Sequence, residues 1–192
     1  MEKQDNKFAQ IAIYIRLFVS ALLLGALFVP FATGLKMTVK SGDNSVITTY
    51  KSAFSFLFSG KLVSEHVTYQ AKGISVIGLI AFILVVAAFV LSVVSFFLRK
   101  NKLGTILVLV CLGLVLAGSI MMLCTHRSAA TVLSDAILGE HSDAVSNTVF
   151  KNTNIEFGFW GVSLFGFIAF VGLLASLFFD GTVDKVRQLL VK

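Results

Sequence analysis

One hairpin constrains the fold of this chain more than any other feature. An apolar run over residues 73–98 is followed by the basic tetrad Arg-Lys-Asn-Lys at 99–102, and then by a second apolar run over 103–124. Each run is long enough to cross about 30 Å of hydrocarbon as a helix. The tetrad is too short and too charged to cross as well. We therefore predict two adjacent, antiparallel membrane spans that turn back at the same face.

Two further apolar runs, at about residues 8–34 and 157–179, extend this hairpin to four spans. Composition agrees, since 57% of the residues are hydrophobic and 14% are charged, whereas soluble domains average about 25% charged residues. The first run is longer than the apolar core of a signal peptide and lacks a convincing cleavage site, so we interpret it as an uncleaved span. The sequence predicts an all-α integral membrane four-helix bundle (up-down-up-down), with residues 1–192 forming a single membrane domain.

The first long connection, residues 35–72, has the pattern of a β-rich unit. Residues 37–40 and 46–50 alternate in polarity around the turn-forming sequence Ser-Gly-Asp-Asn at 41–44, which predicts a β-hairpin. The phenylalanine-rich stretch 52–60 fits either a strand or a short interfacial helix. Residues 62–70 alternate again and predict another strand. We therefore expect a small β-rich cap.

The second long connection, residues 125–156, is more polar. Residues 128–138 have apolar positions at helical spacing, which predicts a short helix, and Gly139 would suit its end. Residues 145–154 are rich in β-branched side chains and could add a strand. In the tail, residues 180–192, helical spacing allows either a short amphipathic helix or a frayed extension of the last span.

Charge predicts the orientation and the points of anchorage. Arg99, Lys100 and Lys102 occupy the short loop, and basic residues close to membrane spans favour the cytoplasmic side. We expect cytoplasmic termini, an inner loop at 99–102, and outer loops at 35–72 and 125–156 of a plasma-membrane protein. Outer loops without cysteine or a glycosylation sequon fit a prokaryotic source. Arg16, expected to reach back to the headgroups, and Trp160 are further interface anchors.

No catalytic, cofactor-binding or metal-binding signature is found in the sequence. His66, His126 and His141 fall in the predicted outer loops, but not at the spacing of a zinc motif. Apart from Arg16, the four predicted spans contain no Asp, Glu, Lys, Arg or His, which argues against ion-coupled transport by this chain alone. The net charge of +6 is distributed around the spans, so we expect the lipid bilayer as a partner and no nucleic acid.

Small residues recur through the spans and allow two interpretations. In lipid they let helix backbones approach closely, either within one bundle or against a partner subunit. We predict partner contacts from the apolar loop stretch and from one face of the fourth span. The candidate residues are Phe54, Phe56, Phe58, Gly161, Phe165 and Gly172.

The order of segments is similar in outline to that of claudin-like and other tetraspan membrane proteins. The similarity covers topology only. The first long connection contains neither tryptophan nor cysteine, so the claudin signature W-x-x-G-L-W with two cysteines is missing, as are the tetraspanin cysteine motifs. The resemblance implies no functional residue in this chain.

Three functions are compatible with these features. The leading hypothesis is a non-catalytic membrane protein that acts through contacts of its outer cap and a small-residue helix face, with other membrane subunits or with itself. It would be an accessory subunit of a membrane complex, or an adhesion or assembly factor. The second is a pore, channel or transporter component whose polar span residues line a path. The third is a membrane enzyme that acts on lipid or cell-wall precursors through outer-loop acids and histidines.

Overall fold

Four long helices dominate the structure, a computed structural model. It describes residues 2–41, 44–49, 52–58, 61–63, 68–70, 73–98, 102–138 and 153–179. The long helices are α1 (Glu2–Phe28), α3 (Val76–Phe97), α4 (Lys102–Leu138) and α5 (Phe157–Phe179). Each contributes a segment that is long and apolar enough to cross a membrane. The predicted four spans are thus confirmed, and the chain has the structure of a multi-pass membrane protein.

The four helices pack as a closed ring. Neighbouring pairs are α1 with α3, α3 with α4, α4 with α5, and α5 with α1. Their inward side chains form one apolar core that includes Leu23, Val85, Met122 and Leu173. We use "hairpin end" for the end at which α3 ends and α4 begins. We use "loop end" for the opposite end, where α1 ends and α3 and α5 begin.

The first span ends earlier than its apolar run. Helix α1 stops at Phe28 and continues as a 3-10 turn, Val29–Phe31, which contains Pro30. Proline has no backbone N–H and its ring clashes with the preceding turn, so the α-helix cannot continue through it. Gly34 lies outside any helix, just before the first strand.

Helix α4 is longer than predicted. We expected a span that ends near Cys124 and a separate short helix over residues 128–138, but the structure has one helix of 37 residues. At 1.5 Å per residue it is about 55 Å long, well beyond the roughly 30 Å of a hydrocarbon core. No proline or glycine interrupts residues 119–138, so nothing in the local sequence stops the helix at the membrane boundary.

Short strands follow in the long connections. Strands β1 (Leu35–Ser41) and β2 (Asn44–Thr49) pair antiparallel around residues 42–43, as the turn chemistry predicts. Strand β5 (Thr153–Ile155) pairs with the other edge of β1, so the sheet order is β2-β1-β5.

The remaining described parts of the first connection are two short strands and one helix. The predicted strand over residues 62–70 is instead two strands, β3 (Lys61–Val63) and β4 (Thr68–Gln70), paired antiparallel. Helix α2 (Phe54–Leu57) resolves the ambiguous phenylalanine-rich stretch in favour of a short helix. The tail at 180–192 lies outside the described residues.

Candidate functional site at the loop end of the bundle

The phenylalanine-rich stretch fills the loop end of the bundle. We call residues 53–58 the plug. Ala53, Phe56 and Leu57 are fully buried and belong to the same apolar core as the four spans. The Phe56 ring lies 6.0 Å from that of Phe159 at the start of α5. A segment between two strands therefore packs as part of the membrane bundle.

Backbone hydrogen bonds fix the plug to two helices. The Ala53 N–H donates to the Ala32 carbonyl just after α1 (2.9 Å), and the Ser75 N–H before α3 donates to the Phe56 carbonyl (2.7 Å). Leu57 fits against Gly78, where a β-carbon would lie only 2.7 Å from the Leu57 Cδ2 atom. The absence of a side chain at Gly78 thus makes room for the plug.

The plug has two apolar faces with different surroundings. Phe56 and Leu57 point into the bundle, whereas Phe54 is half-buried and Phe58 is 42% exposed. Positions i and i+4 share one face of a helical turn, and the rings of Phe54 and Phe58 are 4.4 Å apart. Periodicity could not reveal this arrangement, because residues 54–58 contain four apolar side chains and a single polar one, Ser55, which is itself half-buried and marks no outer face.

The extended part of α4 connects the second long connection to the first. Ala129, Ala130 and Leu133 lie beyond the predicted membrane boundary but are fully buried. The Ser75 hydroxyl donates to the Ser128 hydroxyl at 2.9 Å, which ties the start of α3 to this extension. The helix thus provides a support on which parts of both connections rest.

Strand β5 makes the second link between the two connections. The His126 Nε2 and Thr153 Oγ1 atoms are 2.9 Å apart, and Thr153 is buried. On its other side, β5 pairs with β1 in the register Leu35–Ile155, Lys36–Asn154 and Met37–Thr153. Residues more than 110 positions apart in sequence are therefore neighbours in one sheet.

A second polar cluster lies inside the bundle, around Arg16. We expected the Arg16 side chain to reach the headgroups, but it is 4% exposed and its Nε atom is 3.5 Å from the Ser176 hydroxyl of α5. The Ser20 hydroxyl donates to the Arg16 carbonyl and is 2.7 Å from the Ser92 hydroxyl of α3. The inward position of Arg16 agrees with the rule that ionisable side chains in spans face the bundle interior. The contacts of Arg16 with Ser176 and of Ser20 with Ser92 join α1 to both of its neighbours, α5 and α3.

Other span hydroxyls are buried and bonded to nearby carbonyl groups. Ser95, Ser119 and Ser176 donate to the carbonyls of Ser92, Val115 and Leu173 in their own helices. The Ser163 hydroxyl instead crosses from α5 to the Ser119 carbonyl of α4, at 2.9 Å. The bond from Ser163 therefore holds α4 and α5 in register.

The small residues of α5 pack mainly within the chain. A β-carbon on Gly161 would lie 2.8 Å from Val29 Cγ1, and one on Gly172 would lie 2.7 Å from Val19 Cγ2. Gly166 faces the Ser119 side chain of α4 in the same way. These positions therefore serve the contacts of α5 with α1 and α4, the first of the two interpretations of the small-residue pattern.

The predicted partner contacts thus separate into two groups. Phe56 and Gly161 are buried, and the space beside Gly172 is filled by Val19. Phe165 is half-buried against the core. Phe54 and Phe58 alone among the six combine an aromatic ring with a position on the outward face of the plug.

The predicted anchors and histidines are only partly described. Trp160 lies in the first turn of α5, is 42% exposed, and packs edge-on against Phe157. Lys102 begins α4, whereas Arg99 and Lys100 are outside the described residues, as are His66 and His141. Among the described residues, no group of three histidine, cysteine, aspartate or glutamate side chains could hold a metal ion.

Comparison with known proteins adds no relative. A scan against protein-family models finds no match to this chain, and a search of curated proteins finds none either.

Proposed function

We propose that this chain is a non-catalytic membrane protein whose loop end forms a contact surface for another membrane protein or for a second copy of itself. The main observation in support of this proposal is the pairing of β5 with β1, which joins the two long connections in one sheet. A cap built from both connections would be held to the bundle by the plug and by the extension of α4.

The sheet offers a backbone edge that suits a protein partner. In the described part of the chain, β2 is paired on one side only, with β1. Unpaired strand edges present a row of N–H and C=O groups that can accept an added strand. In this proposal the bundle supports the sheet and takes no part in catalysis. Its buried serine hydroxyls form hydrogen bonds within the bundle.

The orientation belongs to the same proposal. Basic residues flank the short link at the hairpin end, so we place that end and both termini in the cytoplasm, and the sheet outside a prokaryotic plasma membrane. A chain with Cys124→Ala and Ser41→Cys should react with an impermeant thiol reagent in intact cells. A reaction only after permeabilisation would reverse the orientation.

The contact surface is tested by photo-crosslinking in the native membrane. A photoreactive amino acid is placed in turn at residues 44–49, so that both faces of β2 are sampled. A matched probe replaces Ile168 on the exposed side of α5. We expect a discrete protein adduct from alternate positions of β2 and none from position 168.

Two results would contradict this proposal. One is the absence of a protein adduct from every position of β2, together with a monomeric chain in mild detergent. The other is an equal yield of the same adduct from position 168, which would place the partner along the spans instead of at the sheet.

A further inference from the structure

Four aromatic rings form a continuous row across the loop end. Phe31 stacks on Phe54 with ring centroids 4.8 Å apart, Phe54 meets Phe58 at 4.4 Å, and Phe58 meets Phe82 at 5.7 Å. We call these residues the aromatic row. Phe31 is 59% exposed and Phe58 is 42% exposed. The row thus joins the 3-10 turn after α1 to α3 through the plug. It presents an apolar surface on the outside of the bundle.

The two ends of the row lie in membrane spans. Phe31 is the last residue of the candidate span Gln10–Phe31, and Phe82 lies within the span Val76–Phe97. Phe82 lies six positions after Val76, the first residue of α3, which is about 9 Å along the helix axis. Helical side chains lean toward the N-terminus by up to about one turn of roughly 5 Å. The ring of Phe82 therefore lies within the length of its span, and the ring of Phe58 contacts it at that depth.

We propose that the outward face of the plug is a re-entrant membrane contact. In this arrangement Phe54 and Phe58 lie among the lipids of the leaflet at the loop end, although the sequence places them in a long connection between two spans. We choose lipid as the contacting phase because the aromatic row is continuous with two membrane spans: it begins at Phe31 of the first and ends at Phe82 of the second. The proposal concerns the lipid bilayer and does not depend on a protein partner at the sheet.

Part of the plug backbone meets the main requirement for entering hydrocarbon. Non-helical backbone is tolerated at membrane depth only where it is buried in protein or lines a water-filled cavity, so that its polar groups are satisfied. Besides its bonds to Ala32 and Ser75, the plug contains bonds from the Phe56 N–H to the Ala53 carbonyl and from the Phe58 N–H to the Phe54 carbonyl, both 3.0 Å.

The side chains of the plug agree with this placement. Residues 53–58 contain no charged residue, and their one polar side chain, Ser55, is 3.3 Å from the Ser52 hydroxyl. The nearest charged residues in sequence are Lys51 and Lys61, one on each side of the plug. Lysines in such positions can keep their ammonium groups among the headgroups while apolar residues between them enter the leaflet.

Tryptophan fluorescence in brominated lipid tests the proposal. Trp160 is the only tryptophan of the chain, so Trp160→Phe with Phe58→Trp gives a single probe in the plug. The full chain is reconstituted in phosphatidylcholine vesicles with bromine at defined acyl positions. The natural Trp160 serves as an interfacial reference, and Ile168→Trp in the Trp160→Phe background serves as a mid-span reference. We expect shallow bromines to reduce the emission of the plug probe at least as much as that of Trp160, and aqueous iodide to leave it unchanged.

Two patterns would overturn the proposal. Quenching by iodide without quenching by bromolipid would place the row in water. Protection from both quenchers would mean that protein, such as a second copy of the chain, covers the row. If the Phe58→Trp chain fails to assemble, Phe54→Trp in the Trp160→Phe background probes the same face and is judged by the same two results.

Discussion

The start of α5 lies in close contact with residues 32–33, just after the 3-10 turn, and this makes Gly158 sensitive to substitution. A β-carbon there would lie 2.6 Å from the Ala32 carbonyl oxygen and 2.8 Å from that of Thr33. The Gly158 N–H itself donates to the Thr33 carbonyl at 2.7 Å. Because the obstacles are backbone atoms, no side-chain rotation can relieve the contact.

Gly158→Ala is therefore expected to destabilise the bundle measurably. Overpacking costs about 1–3 kcal/mol, and weakening the hydrogen bond to Thr33 adds about 1 kcal/mol. These two costs sum to about 2–4 kcal/mol. We expect the free energy of unfolding to fall by about 2–3 kcal/mol, in the lower part of that range. Unfolding in mixed micelles with a rising mole fraction of dodecyl sulfate, followed by far-UV circular dichroism, measures this change.

The chain provides matched controls in two other helical glycines. No atom lies within 4 Å of a β-carbon built on Gly25 or Gly113. Alanine at either position removes the entropic disadvantage of glycine in a helix, worth roughly 0.5–1 kcal/mol, without a clash. If Gly158→Ala unfolds at the same detergent composition as these two variants, the close approach of α5 to residues 32–33 is wrong.

Three further predictions concern the plug, the span hydroxyls and β5. Phe56→Ala should lower the free energy of unfolding by about 3–5 kcal/mol and Phe54→Ala by clearly less, in the same micelle titration; equal losses would contradict the two-faced plug. A double-mutant cycle of Ser20→Ala and Ser92→Ala should give a coupling of about 0.6 kcal/mol, the average for hydrogen bonds between membrane helices, and zero coupling would exclude the bond at 2.7 Å. His126→Ala should speed amide hydrogen exchange in β5 more than in α5, because it removes the bond to Thr153; unchanged exchange in β5 would refute that role.

The spans were predictable because their signal is long and local. Runs of 18 or more almost entirely uncharged, apolar residues have few alternatives to a membrane helix, and the short basic stretch at 99–102 required α3 and α4 to be neighbours. The end of α1 is explained by Pro30, whose effect on a helix is also local. The β1–β2 pairing similarly followed from turn residues at 41–44.

The plug and the pairing of β5 with β1 depend on contacts between distant residues. Nothing in the local pattern of residues 52–60 indicates that Phe56 enters the core while Phe58 stays outside. That division is set by Ser75, Gly78 and Phe159, which belong to other helices. For the same reason, the sequence could not distinguish an Arg16 that reaches the headgroups from one that turns inward toward Ser176.

The central claim is that the two long connections meet in one sheet at the loop end. A disulfide between β1 and β5 tests this claim most directly. Lys36 and Asn154 are opposite each other in the register, and Asn154 is exposed. In a Cys124→Ala background, which leaves only the buried Cys111, Lys36→Cys with Asn154→Cys should cross-link under mild oxidation in the membrane.

Lys40→Cys with Asn154→Cys is the control, since four residues along β1 move the thiol by about 13 Å, beyond the reach of a disulfide. We expect a cross-link within the chain for the first pair and none for the second. No cross-link in either pair, or equal yields in both, would contradict it.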